Sequence, residues 1–177
     1  MILSNLHRRV GPASGGRAPV QAQAFPMLWY SLRVDSAPVT RSARPLVRWR
    51  RQLETGLAPI DQQHRELFDA LARLAADFNA GAPKDRVDEG LAVLARHLIK
   101  HCQAEETLMK EAGFPDRIVH ANQHQDLVLR VRDLQYRRTK GQELGLETVA
   151  LVGEWLDHHI CESDLAMAGY LKTLHAV

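Results

Sequence analysis

Polar side chains that bind metals are concentrated in the short stretch HLIKHCQAEETLM, which runs from His97 to Met109. It contains two histidines, one cysteine and two glutamates. Imidazole, thiolate and carboxylate groups are common protein ligands of zinc and iron. Because His101 and Glu105 are four residues apart, they share one face of a helix. The stretch therefore predicts a metal-binding helix face that needs further ligands from other segments.

A second pair of candidate ligands, His120 and His124, has the same spacing. One such pair is weak evidence, because short motifs recur by chance, and His97 with His101 forms another HxxxH in this chain. A metal site requires several segments that each present a ligand to the same place. The arrangement of the helices decides whether these pairs meet.

In each of four segments, mostly apolar residues recur at steps of three and four, which places them in a stripe along one face of a helix. These stripes are expected to face inward. Links that contain glycine, with or without proline, separate the segments: NAGAPKD, AGFPD and TKGQELG. Four amphipathic helices with short links predict an all-α, up-down-up-down four-helix bundle over residues 45–177. The stripes are Ile60, His64, Leu67, Leu71, Leu74 and Phe78; Val87, Leu91, Leu94, Leu98, His101, Glu105 and Leu108; His120, His124, Leu127, Val131 and Leu134; and Val149, Val152, Leu156, His159, Met167 and Leu171.

Every one of the four stripes is interrupted by an ionisable residue. Burying such a group is costly unless it is paired or binds a metal. A single histidine on an apolar stripe is more often a satisfied core residue than a ligand. Interruptions on all four helices together predict a shared polar centre in the core of the bundle.

Residues 1–44 differ in composition from the rest of the chain. They carry six arginines, no lysine and one acidic residue, a net charge of +5, whereas the whole chain has +2. The segment is rich in Gly and Pro and has no sustained periodicity, which predicts a poorly ordered N-terminal extension. A disordered tail, an organelle transit peptide and a start site at Met27 or later all remain open. The paired arginines are followed by no apolar stretch, which argues against a secretory signal.

The composition of the chain excludes several other classes. No apolar run approaches the roughly 18 residues that span a bilayer, so no membrane association is expected. Cys102 and Cys161 are too few for a disulfide framework, which favours a reducing, cytoplasmic location. The basic run RVRDLQYRRTK ends the third helix, where cations complement the helix dipole, so we interpret it as a solvated face that binds no nucleic acid. The oligomeric state is left open, and a monomer is compatible with the sequence.

Four motifs in this order resemble the hemerythrins, especially the bacterial ones: DQQH (Asp61–His64), HCQAEE (His101–Glu106), HANQH (His120–His124) and HICESD (His159–Asp164). The similarity extends through TGLAPIDQQHRELF, EETLMKEAGFPD and EWLDHHI, and covers roughly residues 46–175. A member of that family is an established example of the up-down-up-down bundle.

This resemblance implies a non-haem di-iron site that binds O2 reversibly. It assigns one iron to His120, His124 and His159, and the other to His64 and His101. Glu105 and Asp164 would bridge both irons together with an oxo or hydroxo ligand. If each iron takes six ligands, the two-histidine iron keeps one position free for O2. The metal ligands expected from the resemblance are His64, His101, Glu105, His120, His124, His159 and Asp164.

Of these seven residues, Asp164 is the one that helical spacing does not select. It follows His159 by five residues, which rotates it by about 140° on an ideal α-helix. The family's His-x-x-x-x-Asp pattern is what includes it. A bridging position between two metals, or a local widening of the helix to a π-turn, would bring its carboxylate inward.

The resemblance favours an O2-binding protein for storage, transport or delivery, not an enzyme. Ferritin-like di-iron enzymes use Glu-x-x-His motifs, and none occurs in this chain. Three alternatives remain: a sensor of O2, nitric oxide or redox state; a di-iron enzyme that consumes peroxide or nitric oxide; and a zinc site. An apolar cage that excludes water is expected from Leu98, Leu127, Trp155, Leu156 and Ile160.

The remaining polar residues near these motifs are expected to lie outside the ligand set. His97 is predicted to be a partly exposed histidine at the end of its stripe, or else a group that supports a ligand. His158 and Glu106 are each rotated by about 100° from a ligand and are predicted to face solvent, or for Glu106 a neighbouring helix. Cys102 stands where related sequences commonly have an aromatic residue. We interpret it as a small buried hydrophobe, with a slightly enlarged pocket as the alternative. Cys161 lies near His159 in the chain.

Overall fold

The computed structural model describes residues 48–174. A short 3₁₀ turn at Arg51–Leu53 precedes helices α1 (Ala58–Asn79), α2 (Lys84–Ala112), α3 (Arg117–Thr139), α4 (Leu146–His159) and α5 (Leu165–Leu174). A π-helical turn, Ile160–Asp164, connects α4 directly to α5, so these three pieces form the fourth helix of the bundle. The extension predicted for residues 1–44 lies outside the described residues. No helix within residues 48–174 is long and apolar enough to cross a bilayer.

The helices form the predicted four-helix bundle. α1 packs against α2 and α4, and α2 packs against α3. Each link between successive helices is short, so each helix runs antiparallel to the one before it. The predicted all-α, up-down-up-down fold is confirmed.

The apolar core is divided into two clusters. The larger one contains most of the predicted stripe residues and extends from Leu53 and Leu67 to Ile160. The smaller one contains Met109, Phe114, Met167 and Leu171. Phe78 and Leu108 are only half-buried, whereas the other apolar stripe residues are buried. Glu105 on α2 and Asp164 on the fourth helix fall between the two clusters in the sequence, and His101 and His159 each precede the last residue that its helix gives to the larger cluster. The core therefore contains a polar layer.

Two local interactions position the helices that carry the residues of this layer: a hydrogen-bonded turn before α1 and a glycine cap after α2. The carboxylate of Asp61 accepts hydrogen bonds from the backbone N–H groups of Thr55 and Gly56, at 2.7 Å and 3.0 Å, and anchors the chain that enters α1. α2 is capped by Gly113, whose φ of 65° is the left-handed conformation that glycine adopts without a Cβ clash. The resulting reversal starts α3 only three residues before His120.

Candidate metal centre

All seven predicted ligands lie together in the polar layer of the core. None of them is more than 4% exposed. Each of the four helices of the bundle contributes: α1 supplies one, α2 and α3 supply two each, and the fourth helix supplies the remaining two. The seven residues are His64, His101, Glu105, His120, His124, His159 and Asp164.

Their side-chain donor atoms form two overlapping groups, in each of which the atoms lie within 4.8 Å of one another. The first group contains three histidines and two carboxylates. The second contains two histidines and the same two carboxylates. The groups are Glu105, His120, His124, His159 and Asp164, and His64, His101, Glu105 and Asp164.

The two carboxylates are shared because each faces histidines of both groups. Asp164 directs Oδ1 to Nε2 of His120 and His159, both at 3.0 Å, and Oδ2 to Nε2 of His64 at 3.1 Å. Oε2 of Glu105 is 3.2 Å from Nε2 of both His120 and His124. It is also 3.7 Å from Nε2 of His101.

The π-helical turn explains how Asp164 reaches the cluster. A π-turn stacks residues i and i+5, whereas an α-helix stacks i and i+4. Its bounds, Ile160–Asp164, begin directly after His159, so the carboxylate falls beneath that imidazole. Ser163 donates a 2.7 Å hydrogen bond to Oε1 of Gln123 on α3, which ties the turn to the neighbouring helix.

The donor set fits a pair of cations. Native proteins pair almost every buried polar atom, yet both ring nitrogens of His64 and His101 are buried without a hydrogen-bond partner. The same is true of both carboxylate oxygens of Glu105 and Asp164. Uncompensated polar atoms converging on one place cost free energy that coordination of cations would offset. Imidazole with carboxylate suits both iron and zinc.

The pKa values of the histidines in this layer are shifted in opposite directions. Burial lowers the pKa of His101 from its ordinary 6.5 to about 4, although Glu105 and Asp164 oppose the shift. Burial lowers the pKa of His159 as well. For His120, burial also acts to lower the pKa, but the negative charges of Asp164 and Glu105, whose oxygens lie 3.0 Å and 3.2 Å from Nε2, outweigh it and raise the pKa to about 9. Burial opposes ionisation of Asp164, but the surrounding histidines hold the pKa of that carboxyl well below its ordinary value.

These shifts predict that the metal-free protein is most stable near pH 6.5. The raised pKa of His120 contributes stability that is fully present below 6.5 and lost as pH rises to about 9. That loss is about 3 kcal/mol by the usual conversion of a pKa shift. Below pH 6.5, unfolding protonates His101, which burial keeps neutral in the fold down to about pH 4, so stability falls there too. Urea titrations of chelated protein from pH 5 to 9 measure both effects. His120→Gln should flatten the alkaline side alone; an unchanged alkaline slope in that variant would contradict the assignment.

His97 and His158, which were predicted to lie outside the ligand set, are both partly exposed. His97 is 30% exposed and contacts Oε2 of Glu66 at 3.3 Å. His158 is 42% exposed, with Nε2 2.9 Å from Oε2 of Glu162. Neither belongs to the groups of converging donor atoms.

The two cysteines have different environments. Cys102 is buried within the larger apolar cluster, as predicted for a small hydrophobe. Burial, reinforced by the charges of Glu105 and Glu106, raises the pKa of its thiol well above the ordinary range, so the thiol stays protonated. Cys161 is exposed although it is only two residues from His159 in the chain.

Sequence reasoning missed two contacts to the ligand histidines. Glu106 is indeed partly exposed and faces a neighbouring helix, but its Oε1 lies 3.2 Å from Nδ1 of His124. The ring of Trp155 stacks on that of His159, with centroids 4.6 Å apart and an interplanar angle of 16°. Because Trp155 precedes His159 by four residues, helical spacing was a signal for the second contact. The contact between Glu106 and His124 depends on how α2 and α3 are rotated relative to each other, which the spacing of residues within one helix does not specify.

Comparison with known proteins supplies the family. The family model described as the hemerythrin HHE cation binding domain matches residues 55–171. The chain belongs to the hemerythrin family. It is 31% identical over 126 residues to a bacteriohemerythrin of Pseudomonas paraeruginosa strain PA7, which covers 71% of this chain and 80% of that protein. It is 30% identical over 127 residues to a bacteriohemerythrin of Stenotrophomonas maltophilia, which covers 72% of this chain and 82% of that protein.

A solved structure of wild-type hemerythrin has the same fold. It is 29% identical in sequence and superposes with a TM-score of 0.63, covering 66% of this chain and 90% of the other. The matched region of the family model contains all seven residues of the polar layer. The resemblance seen in the four sequence motifs is thereby confirmed at the level of the family and of the fold.

Proposed function

We propose that this hemerythrin-family chain is a non-haem di-iron protein that binds O2 reversibly, for storage, transport or delivery. The observation that carries the proposal is the overlap of the two donor groups through Glu105 and Asp164. Carboxylates shared in this way would hold two cations next to each other. The similarity to bacteriohemerythrins supports iron and O2 as the metal and the ligand.

In this proposal the histidines divide unequally between the two irons. His120, His124 and His159 would hold one iron, and His64 and His101 the other. The second donor group would thus offer one histidine fewer than the first, which would leave a position for O2. With iron bound, the centre would supply the electrons that O2 takes up on binding.

The protein surrounding the ligands would keep water away from the irons. The five residues predicted to form an apolar cage are all buried. A dry apolar shell limits solvent access to a metal site and so protects it from irreversible oxidation. This protection supports binding and release of O2 over its consumption. The cage residues are Leu98, Leu127, Trp155, Leu156 and Ile160.

Anaerobic reconstitution with ferrous iron tests this function. We expect two irons per chain and an absorption change on exposure to O2 that reverses when O2 is removed. A manganese- or zinc-loaded sample serves as the control, since it should show no such change. One iron per chain, or bleaching that accumulates with each O2 cycle, would contradict the proposal.

The same samples test whether the protein is a binder or an enzyme. We propose that it is not an enzyme, so the O2 taken up should be returned in full, and added reductant should produce no continuous O2 consumption beyond autoxidation.

We also propose a cytoplasmic location, which is supported by the two free thiols, because such thiols persist in reducing compartments.

A further inference from the structure

One of the histidines in the polar layer has a side-chain partner on its outer nitrogen. Nδ1 of His124 lies 3.2 Å from Oε1 of Glu106. A carboxylate accepts hydrogen bonds and does not donate them, so Nδ1 carries the proton and donates it to Glu106. In the neutral imidazole, Nε2 of His124 is then the unprotonated nitrogen, with its lone pair directed inward. Metal ligation requires this tautomer.

The contacts of Nε2 on the inner side of His124 show the consequence of this tautomer. Its Nε2 faces Oε2 of Glu105 at 3.2 Å and has no hydrogen-bond partner. With the proton on Nδ1, a nitrogen lone pair and a carboxylate oxygen face each other, which is unfavourable unless a cation lies between them. Glu106 therefore favours the neutral tautomer in which Nε2 of His124 presents its lone pair to a metal ion.

Three other histidines of the layer have no such partner on Nδ1. Nδ1 of His64, His101 and His120 is buried without a hydrogen-bond partner among residues 48–174. The Glu106 side chain is 45% exposed, so it connects a buried ligand to solvent. It borders an open groove on the outer face of α2 together with Gln103, Thr107, Lys110 and Glu111.

We propose that Glu106 is a positioning residue for the metal centre, acting through His124. This inference rests on the proposed function, because it takes His124 as a ligand. The carboxylate fixes the ring orientation and tautomer and increases the electron density that Nε2 presents to the metal. Carboxylate–histidine–metal arrangements of this type typically change metal affinity 10–100-fold when the carboxylate is removed.

The test compares the rate at which a chelator removes iron from the reconstituted protein and from three variants. Glu106→Ala should accelerate iron loss about 10–100-fold. Glu106→Gln keeps an acceptor oxygen but not the charge, so its rate should fall between those of Glu106→Ala and the unmodified protein. Glu111→Ala removes a carboxylate from the same groove and should leave the rate unchanged.

A second measurement separates positioning from a general effect on folding. Glu106→Ala and Glu111→Ala should have equal urea midpoints in the chelated form. In zinc-loaded, ¹⁵N-histidine-labelled protein, the Nδ1 proton of His124 should exchange faster with water in Glu106→Ala. Equal iron-loss rates for Glu106→Ala and Glu111→Ala would overturn the inference while leaving the di-iron proposal intact. Failure of the unmodified protein to retain two irons would instead refute the proposed function.

Discussion

Replacing His120 with alanine is expected to reduce bound iron from two ions per chain to one or none. Nε2 of His120 lies 3.0 Å from Oδ1 of Asp164 and 3.2 Å from Oε2 of Glu105, so it touches both shared carboxylates. Its removal takes one of three histidines from the first donor group. It also leaves the two buried carboxylates facing a cavity. Iron counting after anaerobic reconstitution and gel filtration measures the loss directly.

The same variant should lose the stabilisation that iron provides. A ligand at 100 times its dissociation constant adds about 2.7 kcal/mol to the free energy of unfolding. Truncating a buried side chain also costs stability without metal, so the informative quantity is the difference between iron-loaded and chelated protein. That difference should shrink strongly in His120→Ala.

His97→Ala is the matched control for His120→Ala. His97 is also a histidine in an HxxxH pair, but it is partly exposed and its ring contacts Glu66 at the surface. The variant should keep two irons and its full iron-dependent stabilisation. If His97→Ala loses iron while His120→Ala keeps it, the ligand assignment is wrong.

Helical periodicity was sufficient to predict the bundle. The stripes through Leu67 and Leu94 repeat every three or four residues, and the links between them contain glycine or proline, so both the helices and their ends follow from local chemistry. The same periodicity placed His64, His101 and His124 facing inward. The pattern was less accurate at the end of α2. It predicted that Leu108 faces the core, but Leu108 is half-buried, and the neighbouring Met109 is buried instead.

Two features of the metal centre do not follow from that periodicity. Asp164 depends on the π-turn that follows His159, and an ideal α-helix would point its carboxylate elsewhere. Only the motif shared with hemerythrins selected it. The contact between Glu106 and His124 joins two helices, so it depends on their relative rotation and not on spacing within either. Sequence patterns describe one helix at a time, whereas a metal centre is made between helices.

Substituting Asp164 with asparagine should have a larger effect on iron than any single histidine change. Asp164 belongs to both donor groups and directs one oxygen toward each of them. Asparagine has nearly the same shape, so the π-turn and its packing should persist. However, its amide NH₂ cannot bind a cation, and its single oxygen can face only one group. We therefore expect Asp164→Asn to bind close to no iron at concentrations that saturate the unmodified protein.

The control for Asp164→Asn is Glu162→Gln, which makes the same chemical change at an exposed position of the same π-turn, where Glu162 pairs with His158. It should retain two irons per chain. Far-ultraviolet circular dichroism of both chelated variants should match the unmodified protein, which would confine the difference to metal binding. Two irons retained in Asp164→Asn would show that this carboxylate bridges nothing. A single retained iron would assign it to one donor group and leave Glu105 as the carboxylate that joins the two.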